Sequence, residues 1–384
     1  MTPRAVARAS AAGTEATDAR ARPRVLVLAN TLFSPPYPDE LAALRDPGTP
    51  RAWISDVDAD LEYVDRRMRT RPPRRRRALY RRLPMWLVQV LEAHRVGRDY
   101  DAILCWSVAD VALALALLCR LSRRRLPIVA LLTRVSERKK ARLLRFAHPA
   151  LARIILPPVT QREFAARELG VPESKLVALP WTLDTRFWAD DGSAAPTAGS
   201  TTVCAAGGEM RDYPTLVRAM TGLDIPCHIA GVLDTARPDW WNADDGDRRG
   251  EDLVPPNVTF GTMPAAELRA LYARSRAVVV PLRPTDSDNG ITCMNEAWAM
   301  GRPVIVSAVA GQRDAFVDGR EGLWVPPGDA DALREAVLSL WNDPERAAAM
   351  GAAGRRRVEA ERDHRVFSDG VSRVLAEVAA APRR

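Results

Sequence analysis

The chain has 384 residues, which is too long for one ordinary hydrophobic core and fits two domains of about 150–200 residues each. Its hydrophobic content of 47% and charged content of 27% exclude a disordered chain and indicate a globular one. The net charge of +8 comes from arginine, which is abundant along the whole chain, so part of that charge carries no functional information.

Cysteine spacing and hydropathy limit the class of protein further. The cysteines lie at residues 105, 119, 204, 227 and 293, without a C-x-x-C pair, which favours neither a zinc site nor a disulfide framework and suits a reducing cytosol. No apolar segment reaches the ~20 residues that span a bilayer. Residues 1–22 lack the apolar segment of a secretory signal, and we predict a disordered tail there.

The first half of the chain alternates apolar strands with helical patterns. RVLVLAN (24–30) is a continuous apolar run, as in a strand that is covered on both faces of a parallel sheet. Further strands are predicted at 99–105, 127–132 and 152–156, and helices at 78–95, 108–121 and 136–147. This alternation predicts βαβ units and a doubly wound sheet.

The alternation of strands and helices stops at a predicted linker, residues 187–200, which is rich in Gly, Ser, Pro and Asp. It then restarts, with strands at 201–208, 227–231, 257–261, 277–282, 303–307 and 322–327, and helices at 264–274, 293–301 and 329–341. We therefore predict Rossmann-like domains over 23–186 and 201–360, with a C-terminal helix in 361–384. Two such domains enclose a cleft, and ligands bind at the carboxyl ends of their strands.

The stretch DNGITCMNEAWAMG (288–301) follows a predicted strand of the second domain. Gly290, Ile291 and Thr292 lead into a helix that is predicted to begin near Cys293, and the free amides of a helix start bind anions. Glu296 is predicted in the first helical turn, where the helix dipole favours a carboxylate. Because glutamate is common there for stability alone, the local pattern leaves both explanations open.

A second candidate anion site lies in AAGGEMRDY, after the first strand of the second domain. The Gly207–Gly208 turn would present backbone amides, and Arg211 would hold phosphate oxygens with its guanidinium. In an arginine-rich chain, a surface arginine after a turn is an equally simple interpretation. The occurrence of both motifs in one domain favours the phosphate site.

Taken together, these segments resemble a known family over residues 203–360. GGEMRDYPTLVRAM, ELRALYARSRAVVVPL, DNGITCMNEAWAMGRPVIVS and DGREGLWVPPGDADALREAV are similar, in order and spacing, to the nucleotide-sugar-binding half of a retaining glycosyltransferase of family 4 with the GT-B fold. The N-terminal half resembles this family in outline, through KLVALPWTLDTRFW and the opening strand. The expected fold is therefore α/β, with two Rossmann-like parallel-sheet domains facing a central cleft.

The resemblance assigns a role to each motif residue. It implies that Glu296 binds the ribose hydroxyls, that Asp288 faces the transferred sugar, and that Arg211 neutralises the leaving phosphates. Asp288 and Arg211 are thus the expected catalytic residues. The expected donor-binding set is Gly207, Gly208, Arg211, Asp288, Asn289, Gly290, Ile291, Thr292 and Glu296, in which the amides of Ile291 and Thr292 hold the diphosphate.

The chain departs from the family pattern at three places. Asp288 stands where the family usually has a glutamate, and Gly207–Gly208 replaces the usual Gly-Arg pair. On the acceptor side, Asn30, Trp106 and Ser107 occupy the expected loop positions without the usual glycine-rich loop or histidine. The shortened Asp288 keeps a second hypothesis open, in which the protein binds a nucleotide sugar without transferring it.

The activity that the resemblance implies is transfer of a sugar, with retention, from an NDP-sugar (a UDP-sugar by preference) to an acceptor hydroxyl. The acceptor would be a glycolipid, a glycan or a secondary metabolite. No cofactor or metal is expected, since none of the four histidines lies at ligand spacing from another.

An arginine run, RRMRTRPPRRRRALYRR (66–82), precedes LPMWLVQVLEA. It is explained first as a solvated face and second, over 66–95, as a surface that attracts anionic lipids. A nucleic-acid site is the third interpretation, but no aromatic platform or known motif accompanies it, so we expect no nucleic-acid partner. The expectation is a cytoplasmic protein that can attach to the inner face of the membrane.

Overall fold

A computed structural model describes residues 22–29, 50–51, 53–64, 76–189, 199, 201–231 and 254–382. The predicted tail lies outside these residues except for Arg22, and so do Asn30 and residues 66–75 of the arginine run. Within the described residues, no helix combines the length and the apolar character needed to cross a membrane.

The first half forms a parallel sheet whose strand order is β2-β1-β3-β4-β5-β6. Its strands are β1 (Arg24–Ala29), β2 (Asp60–Val64), β3 (Ala102–Trp106), β4 (Ile128–Leu131), β5 (Leu151–Ile155) and β6 (Leu176–Val177). Every residue of β3 and β4 is buried, as their unbroken apolar sequences predict for central strands that are covered on both faces.

The helices of this half are α1 (Arg77–Arg82), α2 (Met85–Val96), α3 (Ala109–Leu121), α4 (Arg138–Ala147) and α5 (Val159–Arg167). The prediction of one helix over 78–95 was wrong, because the chain breaks between α1 and α2. Leu83 is extended, with ψ of 147°, and Pro84 follows it. Proline disfavours a helical conformation in the residue before it and lacks the N–H that would continue the hydrogen-bond ladder.

The second half forms another parallel sheet, in the order β12-β11-β10-β7-β8-β9. Its strands are β7 (Thr202–Ala206), β8 (Cys227–Ala230), β9 (Val258–Phe260), β10 (Ser275–Val280), β11 (Val304–Ser307) and β12 (Gly322–Val325). The helices are α6 (Tyr213–Met220), α7 (Ala265–Ala273), α8 (Ile291–Ala299), α9 (Ala330–Trp341), α10 (Pro344–Glu361) and α11 (His364–Ala380). The predicted α/β class with two parallel sheets is confirmed.

The chain passes between the two sheets twice, and the two passages are joined. The Leu183 amide donates to the Arg362 carbonyl at 3.0 Å, and the His364 amide donates to the Leu183 carbonyl at 2.8 Å. After this junction α11 packs on the first sheet, where Phe367 and Val371 share a buried cluster with Val25. The C-terminal helix therefore completes the core of the N-terminal half.

In both sheets the first strand lies inside, between two strands that come later in the sequence. β7 has β8 on one side and β10 on the other. The connections from β7 and β10 leave in opposite directions at this point, so a crevice opens at their carboxyl ends, where doubly wound sheets bind ligands. The two motifs singled out in the sequence follow these two adjacent strands.

Candidate active site

The turn after β7 requires a glycine at its first position. Gly207 has φ of +93°, and a Cβ atom there would lie 2.5 Å from the terminal nitrogen Nη2 of Arg211. Gly208 has neither restriction, since φ is not positive and no atom lies within 4 Å of its Cβ position. The first glycine thus makes room for the arginine, and the second leaves the backbone open.

Arg211 is buried, with 5% of its surface exposed, directly behind this turn. Its Nε donates to the Ala206 carbonyl at 2.9 Å, and Nη1 donates to the Glu209 carbonyl at 2.8 Å. Its Nη2 lies 3.2 Å from the sulfur of Cys293, at the start of α8. The guanidinium therefore joins the turn after β7 to the helix after β10, which excludes the interpretation of a free surface arginine.

The start of α8 is a tight turn around Gly290, which has φ of +90°. A Cβ atom there would lie 2.5 Å from Val280 Cγ1 and 3.6 Å from Arg211 Nη1, so the backbone passes close to both. The helix begins at Ile291, two residues before its predicted start. The Ile291 amide donates to the Asp288 carbonyl at 3.2 Å. Because Met294 donates to Gly290, the amides of Thr292 and Cys293 precede the helical ladder and are the ones available to an anion.

Other bonds fix the loop that carries Asp288. The side-chain oxygen of Asn289 accepts from the Thr285 hydroxyl at 2.9 Å, and the backbone carbonyl of Asn289 accepts from the Gln312 side chain at 2.6 Å. Asp288 itself accepts from the Trp181 indole and from the Ser287 hydroxyl. Burial raises the pKa of Asp288 to about 6, and these donors oppose the shift. The carboxylate is therefore held in place and poorly solvated.

Glu296 is the sixth residue of α8, so its prediction in the first turn was wrong. It stands one turn further into the helix, where Tyr272 of α7 donates a hydrogen bond of 3.1 Å to one carboxylate oxygen. Burial raises the pKa of Glu296 to about 7, while Tyr272 and the charge of Arg211 oppose the shift. The Tyr272 hydroxyl therefore holds the carboxylate in position, and the charge of Arg211 favours its ionised form from a distance.

The acceptor-side candidates are placed differently. Trp106, at the end of β3, is 4% exposed and packs edge-on against Phe367, at 6.3 Å between ring centroids. It is therefore part of the core that α11 completes, and the structure does not place it on the cleft surface. Ser107 follows with φ of +51° and is partly exposed at the carboxyl edge of the first sheet.

Sequence reasoning missed several residues of the site. Tyr272, Cys293 and Trp181 contact the candidate residues, yet each is an ordinary apolar or aromatic residue of its own element. In the described part of the chain, no group of three or more His, Cys, Asp or Glu side chains is placed to hold a metal ion.

Comparison with known proteins shows similarity over the segment that contains this site. Residues 210–343, which include Arg211, Asp288 and Glu296, match the family described as glycosyl transferases group 1. The resemblance stated from the sequence is thereby confirmed over these residues.

Individual relatives of this chain align with a shorter part of it. A GDP-mannose-dependent alpha-(1-6)-phosphatidylinositol monomannoside mannosyltransferase of Mycolicibacterium smegmatis is 37% identical over 114 residues, 28% of this chain and 30% of that protein. A GDP-mannose-dependent mannosyltransferase of Corynebacterium glutamicum, which acts on a monoacylated phosphatidylinositol monomannoside, is 37% identical over 116 residues, 30% of this chain and 29% of that protein. The aligned segment thus spans under a third of either relative.

Solved structures match nearly the whole chain in fold. A sucrose-phosphate synthase of Thermosynechococcus elongatus has a TM-score of 0.69 at 18% identity, covering 94% of this chain and 100% of that one. HepE of Anabaena, solved with UDP and glucose, has a TM-score of 0.66 at 15% identity, covering 92% and 99%. The chain therefore has the GT-B fold, with the group 1 segment in its second sheet domain.

The adjacent glycines give a matched test of this geometry. We expect Gly207→Ala to destabilise the protein by about 1–2 kcal/mol through its left-handed φ alone, with a further loss because the new methyl group displaces Arg211. Gly208→Ala should change the free energy of unfolding by less than about 0.5 kcal/mol. Denaturant unfolding of the two variants measures both values. Equal effects would show that the turn does not depend on the Gly207 conformation.

Proposed function

We propose that the protein is a glycosyltransferase that takes a sugar from a nucleoside diphosphate sugar, with the donor held by the second sheet domain. The observation that carries this proposal is the arrangement at the carboxyl ends of β7 and β10. A glycine turn, a buried guanidinium and the start of α8 meet there, next to a carboxylate one helical turn deeper. Each of these parts corresponds to one part of the donor.

Glu296 is the proposed ribose ligand. A carboxylate accepts hydrogen bonds from two neighbouring hydroxyls, and Tyr272 already holds one of its oxygens in a defined position. Burial makes ionisation of Glu296 unfavourable in the empty site. Ribose hydroxyls would supply the donors that the ionised carboxylate lacks, so the binding energy would depend on this residue.

The diphosphate is proposed to bind between the turn after β7 and the amides of Thr292 and Cys293. Arg211 contributes a positive charge behind the turn, where little water screens it. As the bond between sugar and phosphate breaks, negative charge develops on the leaving diphosphate, and fixed dipoles and a buried cation stabilise that charge. We propose transfer without a divalent ion, because these groups supply the neutralisation that an ion would otherwise give.

Asp288 is proposed to face the transferred sugar, as the resemblance implies. Its carboxylate is held by Trp181 and Ser287 just before the N-terminus of α8, close to the proposed phosphate position. Retention at the anomeric carbon follows from the family resemblance, with the leaving phosphate oxygen receiving the proton of the acceptor hydroxyl. The acceptor would approach from the first sheet domain.

A membrane-proximal acceptor is supported by the surface of α1 and α2. Gln89 of α2 donates to the carbonyls of Ala29 and Val64, the last residues of β1 and β2, so α2 begins above the carboxyl edge of the first sheet. In these two helices Leu79 is 52% exposed and Trp86 is 47% exposed. We propose that this surface docks on anionic lipid from the cytoplasmic side, as suits relatives named for phosphatidylinositol mannoside acceptors.

A nucleotide panel tests the donor site. We expect one nucleoside diphosphate and its sugar conjugates, among UDP, GDP and ADP series, to raise the melting temperature with EDTA present. A ligand at 100 times its Kd adds about 2.7 kcal/mol of stability. Glu296→Ala should abolish this shift, whereas Glu267→Ala, an exposed glutamate in the first turn of α7, should retain it.

Three outcomes of this panel are informative. Release of free sugar and nucleoside diphosphate from the stabilising donor shows that the site cleaves the sugar–phosphate bond with water as acceptor, as an active transferase does without its own acceptor, and proton NMR of the first-formed anomer tests retention. Stabilisation without any turnover would favour the hypothesis of a binding protein that does not transfer the sugar. No stabilisation by any nucleotide, or an equal shift in Glu296→Ala, contradicts the proposed donor site.

The raised pKa of Glu296 predicts the pH dependence of donor binding. Ribose hydroxyls bind the ionised carboxylate, so below its pKa of about 7 binding must release a proton. Affinity for the nucleotide sugar should rise with pH from 5.5 to 7, by at most about tenfold per pH unit, and level off above 7. Glu296→Gln should remove most of this slope in calorimetric titrations. A wild-type affinity that is constant over this range would contradict the ribose assignment.

Membrane docking is tested by flotation with vesicles. We expect the protein to float with vesicles that contain phosphatidylinositol or phosphatidylserine, and to remain behind with phosphatidylcholine alone. Leu79→Ser with Trp86→Ser should reduce bound protein several-fold, because exposed apolar side chains anchor a basic surface in the interface. Val317→Ser, at an exposed valine of the second half, is the matched control. Binding that is unaffected by the double substitution would exclude this surface.

A further inference from the structure

A small cavity lies where the two sheet domains meet, next to the proposed sugar position. Its volume is about 80 Å³, and its walls come from both halves of the chain. Its lining includes Thr160 at the start of α5, from the first half, and Asp288 and Gln312 from the second half. Trp181 and Arg362, from the two passages between the sheets, complete the lining.

Arg362 is fixed in this wall by its own backbone. It follows α10 directly, and its carbonyl accepts from the Leu183 amide at 3.0 Å. The neighbouring His364 amide donates back to Leu183 at 2.8 Å. Because both passages of the chain are joined here, the base of the arginine side chain has little freedom to leave the cavity.

Among the described residues, no side chain pairs directly with the guanidinium of Arg362, and the charges of Glu361 and Asp288 act on it only from beyond 4.0 Å. Its Nε is buried and has no hydrogen-bond partner among the described residues, and no carboxylate of those residues lies within 4.0 Å of it. Arg313, which lines the same cavity, is by contrast paired with Glu163 at 2.7 Å and Asp314 at 3.3 Å. Burial lowers the pKa of Arg362, yet a guanidinium stays protonated in proteins. The residue is half-buried, so water still reaches part of the guanidinium, but the buried Nε lacks a partner, and polar groups left unpaired in this way concentrate at functional sites.

The part of the cavity wall formed by Trp181 is held in place by other elements. The Trp181 ring stacks on Phe367 with an interplanar angle of 5° and 6.0 Å between centroids. The carbonyl of Trp181 accepts from Asn295 of α8 at 3.0 Å, and its indole donates to Asp288. A cation, a carboxylate and an aromatic ring thus line one cavity, at positions that the surrounding structure sets.

We propose that Arg362 binds an anionic oxygen group, a carboxylate or a phosphate, carried by one of the two sugar substrates. This inference rests on the proposed function and specifies its substrate class. A cavity of this size has room for a few water molecules, and therefore for one small charged group. The planar guanidinium pairs with such a group through two parallel hydrogen bonds. Asp288 repels an anion and accepts from hydroxyls, so the charged end would face Arg362 and a hydroxyl would face Asp288.

Matched neutral and charged probes test the inference. For a donor source, affinity for UDP-glucuronate is compared with affinity for UDP-glucose. For an acceptor source, glucose 6-phosphate and sodium glucuronate are each compared with glucose, alone and with the stabilising nucleotide, at constant ionic strength. We expect the charged member to bind at least tenfold more tightly in one of these arms. Arg362→Gln should remove this preference and leave affinity for the nucleoside diphosphate unchanged.

Arg313→Gln is the matched control, because it removes the same charge from the same cavity but from an arginine that already has partners. It should keep the preference. The inference is overturned if no charged probe is preferred, or if the preference survives Arg362→Gln. The nucleotide measurement separates this failure from failure of the proposed function. Nucleotide binding that Glu296→Ala abolishes supports the donor site, whatever effect Arg362→Gln has on the sugar probes. If no nucleotide binds, the sugar probes used alone still decide the role of the arginine.

Discussion

The structure of the candidate site depends on how the Arg211 guanidinium is accommodated between two glycine turns. It lies at the carboxyl end of β7, bonded to the Ala206 carbonyl, and reaches the sulfur of Cys293 at the start of α8. Gly207 and Gly290 both have left-handed φ values, and side chains at either position would crowd this region. The charge, the turn and the helix start therefore require one another, and together they set where an anion can approach.

Two carboxylates extend this arrangement into the cleft. Burial raises the pKa of both Asp288 and Glu296, to about 6 and about 7. Each is held by a hydroxyl or indole donor from another element, so its position is set before a ligand arrives. Ionising a carboxyl group in poorly solvated surroundings is unfavourable in the empty protein. Hydroxyl groups of a bound sugar nucleotide would offset that cost, so under the proposed function burial would favour such ligands.

The sequence predicted the parts of the fold that depend on local pattern. Continuous apolar runs identified the central strands, because a strand covered on both faces needs no polar alternation. The edge strands β2 and β6 were missed: DLEYV alternates and is partly exposed, and β6 has only two residues. The division of 78–95 into α1 and α2 was also missed, although Pro84 is a visible signal for it.

The prediction of the site was also restricted to what a local sequence pattern shows. Motif residues close together in the sequence, such as Gly207 with Arg211 or Asp288 with Glu296, were identified together. Their partners come from distant segments: Tyr272 lies in α7, separated from Glu296 by strand β10, and Arg362 reaches the Asp288 cavity from the end of α10. Such pairs depend on the packing of whole elements, which no local pattern records. Trp106 is the opposite case. It occupies the sequence position expected for an acceptor-side residue, but α11 packs over it and buries it.

The most direct test of the donor site is a crystal structure with the nucleoside diphosphate that stabilises the protein. The account predicts diphosphate oxygens within hydrogen-bond distance of the Thr292 and Cys293 amides, in front of the Gly207 turn and Arg211. It also predicts both ribose hydroxyls on the carboxylate of Glu296. A nucleotide bound elsewhere, for instance on the arginine-rich surface of the first sheet domain, or a ribose with no contact to Glu296, would contradict it.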